Sequence, residues 1–300
     1  MSSFEVGSVR HHSVCPICLT GDSFLKVERS AWLVCSDCGV QVPNTKPASG
    51  VLTNNHPGRL PTKSDVLSRC QVRLARKLIG KRDLYDFGCG NGRFLNVFRK
   101  QDQCIRQYLG IELDSLSVAV ARKHGLKVES VIPSRPQNTL ITMWHSAEHL
   151  APEELRGVLH DLWDPTNLIL ISVPNGESTA WTRHGEQFAF FDPTAHMAQY
   201  TYKSLQCLVE SAGWKIATRH RSMAYGVFSS FQTAINLRRP RNELYFYVKR
   251  HGQSPPIMLL ISNMLALFAT LPQLLVLLAS EFKMSRSSTI TVALQVKETF

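Results

Sequence analysis

Short apolar runs alternate with amphipathic stretches along most of the chain. Each apolar run is long enough for one β-strand, and the stretches between them carry apolar residues at three- and four-residue spacing, which is typical of helices packed on a sheet. The run NLILISV at 167–173 is apolar throughout, as expected of a central parallel strand that is covered on both faces. The pattern therefore predicts an α/β fold with a doubly wound, mostly parallel sheet.

Caps and turn residues place these elements along the chain. Strands are predicted at 84–87, 108–111, 126–131, 139–144, 167–173, 214–218 and 288–296. Helices are predicted from Ser64 to Gly80, from Ser115 to His124, from Pro152 to Leu162 and from Thr201 to Gly213.

A glycine-rich turn follows the strand at 84–87 and leads into a helix. Gly88, Gly90 and Gly92 stand at alternate positions, and the next strand ends at Glu112. Glycine lets the backbone turn sharply and lets a ligand lie against it, and the N–H groups of the following helix attract a carboxylate or phosphate. An acid at the end of the second strand can accept both hydroxyls of a ribose. The segment therefore predicts a nucleotide-type binding site.

The details of this turn indicate which ligand it takes. Its spacing, G-x-G-x-G, differs from the dinucleotide fingerprint G-x-G-x-x-G, and Asp86 stands just before it. A carboxylate there would repel a pyrophosphate but suits an ammonium group. S-adenosylmethionine (SAM) has an α-ammonium, a carboxylate and a ribose, and no phosphate. The residues resemble motif I of the class I SAM-dependent methyltransferases, D-x-G-C-G-x-G, through Asp86, Gly88, Cys89, Gly90 and Gly92, with Glu112 as the ribose acid.

The resemblance implies a seven-stranded, Rossmann-like methyltransferase fold with SAM as its cofactor. Besides motif I and Glu112, we expect Leu113 and a wall formed by Trp144 to bind the cofactor. The loops at 144–149 and 176–197 are expected to hold the acceptor, because ligands lie beyond the carboxyl ends of the strands. Methyl transfer is an in-line displacement, so positioning contributes much and the acceptor needs at most one base.

Four cysteines near the N-terminus have the spacing of a metal site. Cys15 and Cys18 form one C-x-x-C pair, and Cys35 and Cys38 form a second. Four thiolates suit a tetrahedral structural Zn²⁺, and the residues between the pairs read as a β-hairpin at 24–27 and 31–34, so we predict a zinc ribbon. A redox pair is the alternative. Such ribbons bind nucleic acid in some proteins and support a neighbouring domain in others.

Three histidines are the candidate proton acceptors. His145 and His149 lie in the segment WHSAEHL at 144–150, and His196 lies in DPTAH at 192–196. Both segments resemble a subgroup that includes ubiquinone-biosynthesis O-methyltransferases and envelope-glycan and natural-product methyltransferases. Either a histidine takes a proton from the acceptor, with His196 the first choice, or all three pack around the donor. In the ubiquinone enzymes an E-x-x-E-H run is thought to hold a divalent cation, which here would leave His145, Glu148 and His149.

The segment 255–279 has no charged residue and is apolar enough for a membrane. Basic residues flank it on both sides, and a single crossing would leave the strand at 288–296 on the far side of the bilayer. We therefore expect it to bend near Pro272 or near Ser262 and Asn263, as two short helices that dip into one leaflet at the cytoplasmic face. A buried hairpin or a dimer interface in a soluble protein is the alternative.

The net charge and the length of the chain bear on its partners and on its domain organisation. The 300 residues carry a net charge of +11, which suits nucleic acid, anionic lipid or phosphorylated substrates. We expect a zinc ribbon at 10–42, a linker at 43–62 and a methyltransferase domain at 63–300 with an apolar insertion at 222–286. The expected function is O- or C-methylation of a small-molecule, sugar or lipid-linked glycan acceptor. The alternatives are a zinc-ribbon RNA methyltransferase and a non-catalytic SAM-binding protein; a nucleic-acid partner is disfavoured because N-P-P-Y and D-P-P-Y are absent after the fourth strand.

Overall fold

The computed structural model describes seven stretches of the chain: residues 14–21, 24–26, 32–44, 66–101, 107–133, 135–251 and 254–297. Most of the predicted linker at 43–62 and the predicted cap Ser64 lie outside these stretches. The N-terminal cysteines lie inside them.

The N-terminal region contains a small antiparallel sheet of three strands in sequence order. Its strands are β1 (Phe24–Lys26), β2 (Trp32–Cys35) and β3 (Gln41–Pro43). One C-x-x-C turn precedes β1 and the other connects β2 to β3, as expected of a ribbon.

The large sheet has seven strands, as predicted. They are β4 (Asp83–Phe87), β5 (Tyr108–Ile111), β6 (Val128–Glu129), β7 (Thr139–Trp144), β8 (Leu168–Pro174), β9 (Trp214–His220) and β10 (Thr289–Val296). Their order is β6-β5-β4-β7-β8-β10-β9, and β10 runs antiparallel to both of its neighbours while the other pairs are parallel. The strand predicted at 126–131 shortens to two residues at the sheet edge, where it pairs with β5 alone.

Ten helices lie among the described residues. They are α1 (Val66–Ile79), α2 (Arg93–Gln101), α3 (Ser115–Lys123), α4 (Pro152–Asp161), α5 (Thr179–His184), α6 (Tyr202–Ser211), α7 (Met223–Asn236), α8 (Glu243–His251), α9 (Ile257–Ala269) and α10 (Leu271–Ser280). Thr201 caps α6 as predicted, because its hydroxyl accepts a hydrogen bond from the Ser204 N–H.

Both faces of the large sheet are covered, which makes the fold doubly wound. Successive residues of a strand point to opposite faces. In β8, Leu168 and Leu170 belong to the apolar core that includes α1 and α2, whereas Ile169 and Ile171 belong to the core that includes α4 and α6. This division explains why the run at 167–173 is apolar at every position.

The ribbon packs against the second of these cores. Thr201 donates a hydrogen bond of 2.7 Å to the Cys38 carbonyl, and Arg156 donates one of 2.7 Å to the Pro16 carbonyl. Trp32 is buried and lies 6.2 Å from the ring of Phe191. The ribbon therefore supports the large sheet and the loop that precedes His196.

The apolar segment forms two helices, as predicted. α9 and α10 meet at Thr270, just before Pro272, with a bend of 75°. No single helix among the described residues is long and apolar enough to cross a bilayer, but this bent pair passes that test together. We call α9 and α10 the apolar hairpin.

Candidate active site

The glycine turn after β4 combines close packing with open space. A Cβ added at Gly88 would lie 2.4 Å from the Cβ of Ser146, and one at Gly92 would lie 2.2 Å from Leu126. Gly90 also has a positive φ, of +55°, but apart from its chain neighbours no atom of the described residues lies within 4 Å of the position of its absent Cβ. Gly88 and Gly92 are therefore required by packing, and Gly90 exposes backbone toward a space that a ligand can enter.

Asp86 lies at the carboxyl end of β4 and is 2% exposed. Thr142 on the adjacent strand β7 donates a hydrogen bond of 2.7 Å to its Oδ1. Burial raises the pKa of Asp86 to about 7, which the Thr142 hydrogen bond partly opposes and the charge of Glu112 reinforces. The site thus holds a buried carboxyl that a cationic ligand would stabilise in its charged form.

Glu112 lies at the end of β5 and organises the chain around it. Its Oε2 accepts a hydrogen bond of 2.7 Å from the Gly90 N–H, and its Oε1 accepts bonds from the N–H groups of Leu113 and Asp114. The Leu113 side chain is 72% exposed beside it. Glu112 therefore ties the glycine turn to the strand end where a ribose is expected.

Cys89 lies in the core, whereas Trp144 lies at the end of a strand beside the site. Cys89 is buried, with its Sγ packed against Gly110, so this thiol lies within the core rather than at the surface of the turn. Trp144 ends β7 and lies 5.7 Å from the ring of Phe94 on α2, and its buried Nε1 has no hydrogen-bond partner among the described residues. An orphaned donor of this kind suits a site that a ligand completes.

These residues fit SAM as a cofactor. Asp86 offers a carboxylate for the α-ammonium, and Glu112 offers one at the adjacent strand end for the ribose hydroxyls. Gly90 leaves room for close approach. The predicted donor residues thus meet at the carboxyl edge of β4, β5 and β7.

His145 stands at the edge of the donor site in an uncommon conformation. Its φ is +52°, a region that non-glycine residues seldom adopt and that often marks a functional site. Its ring lies 4.7 Å from that of Tyr225 and 4.9 Å from that of Phe190. Its Nδ1 lies 3.4 Å from Oε1 of Glu148, which is 1% exposed.

The rings of His149 and His196 lie next to each other. Their ring centres are 4.9 Å apart, and the His149 Nδ1 lies 3.1 Å from the Ala195 carbonyl. If Nδ1 carries the proton, as this contact requires, Nε2 of His149 keeps its lone pair. His196 is 6% exposed, and burial lowers its pKa to about 4, so it is neutral near pH 7.

The possible cation ligands differ from the predicted set. Glu148, His149 and His196 offer ligand atoms within 4.8 Å of one another. His145 is not in this group; its ring packs against Tyr225 and Phe190, and its Nδ1 lies 3.4 Å from Oε1 of Glu148. One carboxylate and two imidazoles are a donor set that divalent transition metals accept. The histidine that completes it comes from the loop at 192–196.

The four cysteines of the ribbon fit zinc. Their sulfur atoms lie within 4.8 Å of one another, with 3.7 Å between Cys15 and Cys38 and 3.6 Å between Cys18 and Cys35. Tetrahedral Zn²⁺ with bonds of about 2.3 Å places its sulfurs roughly 3.7–3.8 Å apart. All four positions come from the protein, which is the arrangement of a structural site.

Two residues of the site could not be found from the sequence. Tyr225 lies in the first turn of α7 and its ring stacks on His145, and Phe190 packs against both rings, 4.9 Å from His145 and 6.2 Å from Tyr225. Both belong to segments without a motif, and their positions depend on how α7 packs over the sheet.

This chain is similar to known proteins in sequence and in fold. A family model described as a methyltransferase domain matches residues 64–219. No curated protein matches the chain. Solved structures with a similar fold include a putative sarcosine dimethylglycine methyltransferase from Galdieria sulphuraria, with 9% identity, a TM-score of 0.49, and 81% of this chain and 93% of that chain covered.

Two further solved structures are similar at the same level. The cyclopropane synthase MmaA2 from Mycobacterium tuberculosis has 13% identity and a TM-score of 0.48, with 76% of this chain and 83% of that chain covered. A SAM-dependent methyltransferase from Archaeoglobus fulgidus has 16% identity and a TM-score of 0.43, with 76% and 94% covered. Such identities carry no information about the acceptor.

Proposed function

The chain belongs to the family of SAM-dependent methyltransferases, and on that premise we propose that it methylates an oxygen or carbon atom of an acceptor at a membrane surface. The observation that carries the membrane part of this proposal is the exposed apolar face of the hairpin. The donor site and the histidines support the chemistry.

The donor half of the reaction rests on two carboxyl groups. Asp86 and Glu112 stand at adjacent strand ends, and the glycine turn between them leaves space at Gly90. When bound, SAM would supply an electrophilic methyl group carried on a sulfonium, with the neutral thioether as its leaving group. Asp86 and Glu112 bind and orient the donor, and they take no proton in this step.

The acceptor half needs a group that takes the proton displaced from a hydroxyl or an acidic carbon. His149 keeps a free Nε2, and His196 is neutral and buried beside it. Glu148 lies next to both rings and stabilises the imidazolium that proton uptake creates. We assign proton acceptance to this group, with His196 or His149 as the base.

The apolar hairpin presents large apolar side chains to solvent on both helices. Phe268 is 68% exposed, and the other exposed members are Ile257, Met258, Ile261, Met264, Leu265, Leu271, Leu275 and Val276. Residues 254–280 contain no charged residue. Burying one such side chain completely stabilises by about 1.5–3 kcal/mol, so a surface of this size favours an apolar environment strongly.

A lipid surface explains the hairpin better than a second copy of the chain. Exposed basic residues flank the hairpin along the chain, with Arg238 before it and Lys283 and Arg286 after it. Cations around an apolar patch suit the anionic headgroups around acyl chains, whereas two identical surfaces would bring these like charges together. A bent pair of helices also enters one leaflet without moving β10 to the other side.

A transfer assay with methyl-labelled SAM tests the function. Purified protein would be incubated with detergent-extracted membranes, a nucleotide-sugar fraction and total RNA, each in parallel with Asp86→Ala as the inactive control. We expect label in the organic phase of the membrane sample. Label that follows the nucleotide sugars or the RNA instead, with the Asp86→Ala control blank, would contradict a membrane acceptor.

A further inference from the structure

A cavity of about 280 Å³ lies between α1, α7 and the end of β9. Its two long walls are joined by a hydrogen bond of 2.7 Å from the amide of Gln71 on α1 to the hydroxyl of Tyr225 on α7. None of the described residues of the glycine turn or the ribbon lines it. The cavity is therefore a separate space beside the glycine turn, and it shares Trp144 with the predicted donor site.

Its lining is basic. Arg73 and Lys77 come from α1, and His220 and Arg221 come from the end of β9, while no Asp or Glu is among the described residues that line the cavity. Burial lowers the pKa of His220, and the charge of Lys77 adds to this, so the two groups are close enough to interact. Cations that converge from two elements without a carboxylate partner favour an anionic ligand.

The cavity adjoins the place where methyl transfer is proposed. Trp144 lines it, and this residue ends the strand whose Thr142 holds Asp86. Tyr225 also lines it and stacks on His145. A ligand in the cavity is therefore separated from the donor site by the Trp144 side chain and from His145 by the Tyr225 side chain.

The cavity also adjoins the end of the apolar hairpin. Arg221 donates a hydrogen bond of 2.8 Å to the carbonyl of Phe282, and Arg219 donates one of 3.4 Å to the carbonyl of Met284. The Phe282 side chain is 63% exposed. The basic residues at the end of β9 are thus hydrogen-bonded to the segment just after α10, next to the exposed apolar surface of the hairpin.

Resting on the proposed function, we infer that the acceptor is carried on a lipid phosphate. The phosphate or diphosphate lies in the basic cavity and the hydrocarbon chain lies along the apolar hairpin, and the hydroxyl or carbon that takes the methyl group and gives its proton to the histidines belongs to the group linked to that phosphate. The volume supports this division, because about 280 Å³ is below the roughly 300–1,000 Å³ of pockets that enclose drug-sized ligands. A charged headgroup fits, and the chain must lie outside, where Phe282 and α10 offer an apolar path.

Binding of three probes tests the assignment without needing turnover. Farnesyl phosphate, farnesol and inorganic phosphate would be titrated into the full-length protein in mild detergent by calorimetry. We expect farnesyl phosphate to bind roughly tenfold or more tightly than either of the others, because it alone engages both surfaces. The double variant Arg73→Gln/Lys77→Gln should lose the preference for farnesyl phosphate over farnesol, whereas Lys100→Gln/Lys123→Gln, which removes the same charge from α2 and α3, should keep it.

The outcomes separate this inference from the proposed function. SAM affinity is measured on the same samples, so a protein that binds SAM but shows no preference for the phosphate has lost the lipid-phosphate assignment alone. Inorganic phosphate binding as tightly as farnesyl phosphate would overturn the lipid part. A preference that survives in Arg73→Gln/Lys77→Gln would place the phosphate elsewhere.

Discussion

The hydroxyl of Thr142 donates a 2.7 Å hydrogen bond to Oδ1 of Asp86, across two adjacent parallel strands at the centre of the sheet. This bond favours the charged carboxylate, whereas burial favours the neutral acid, and burial is the larger effect: the pKa of Asp86 rises to about 7. The donor site is consequently poised to change its charge in the pH range where enzymes work.

Affinity for SAM should increase as pH rises toward 7. Below its pKa of about 7 the Asp86 carboxyl of the free protein is protonated, and the α-ammonium of SAM binds the ionised form, so binding releases a proton. Each pH unit below that value should weaken binding up to about tenfold. Calorimetry between about pH 5.5 and 7.5 measures the slope, since the ligand's own amino group titrates above this range.

Two variants check that Asp86 is the group responsible. Asp86→Asn should bind weakly with no slope in this range, and Thr142→Val should move the profile to higher pH because it removes the bond that favours the carboxylate. A wild-type profile that is flat from pH 5.5 to 7.5 would show that Asp86 does not face the ammonium.

Glu112→Gln should weaken SAM binding by about 1.5–3 kcal/mol, as should Asp86→Ala. An amide has one accepting oxygen, so it cannot serve the N–H groups of Gly90, Leu113 and Asp114 together, and it loses the charge that a ribose would contact. Glu129→Gln, an exposed acid on the neighbouring strand, is the matched control. Equal affinity in Glu112→Gln and the control would remove Glu112 from the site.

One zinc ion per chain is expected in freshly purified protein, and Cys35→Ser should lose it. Because Thr201 bonds to Cys38 and Trp32 packs on Phe191, loss of the metal should also lower the melting temperature of the whole chain. Elemental analysis and calorimetry measure the two effects, with Cys207→Ser as the control thiol. Full zinc content in Cys35→Ser would exclude this ligand set.

His196→Asn should reduce turnover by about 10²–10⁴-fold while leaving SAM affinity nearly unchanged. Asparagine keeps a polar group at this buried position, so a loss of rate would report on proton transfer more than on folding. His149→Asn tests the other half of the pair, and the more exposed His160→Asn on α4 is the control. Unchanged turnover with weakened SAM binding would place His196 at the donor site instead.

The protein should float with vesicles, and more strongly when they contain anionic lipid. Leu265→Glu/Phe268→Glu places charges on the exposed face of α9 and should abolish flotation, whereas Val131→Glu, on an exposed residue far along the chain, should not. A C-terminal tag should stay accessible to protease on the side where the protein was added. If the wild-type protein instead forms a stable dimer in solution and ignores vesicles, the hairpin is an interface between copies.

Features encoded by short spacing were readable from the sequence. The glycine turn with Asp86, the two C-x-x-C pairs and the bent apolar hairpin each depend on residues close together in the chain, and their local chemistry allows few alternatives. The same reasoning placed the strands, because an apolar run such as 167–173 must be covered on both faces. The prediction was least accurate for the strand at 126–131, which is shorter than predicted because it lies at the edge of the sheet and pairs with one neighbouring strand.

The tertiary structure alone determines the contacts between segments that are far apart in the sequence. His196 meets Glu148 and His149 only because the loop at 192–196 folds back beside β7, and so the possible cation ligands differ from the run that the sequence suggested. The basic cavity exists because α7 packs on α1 through Gln71 and Tyr225, which no motif marks. Local spacing determines which chemistry a segment can perform, but the sheet order and helix packing, set by burial over the whole chain, determine which segments act together.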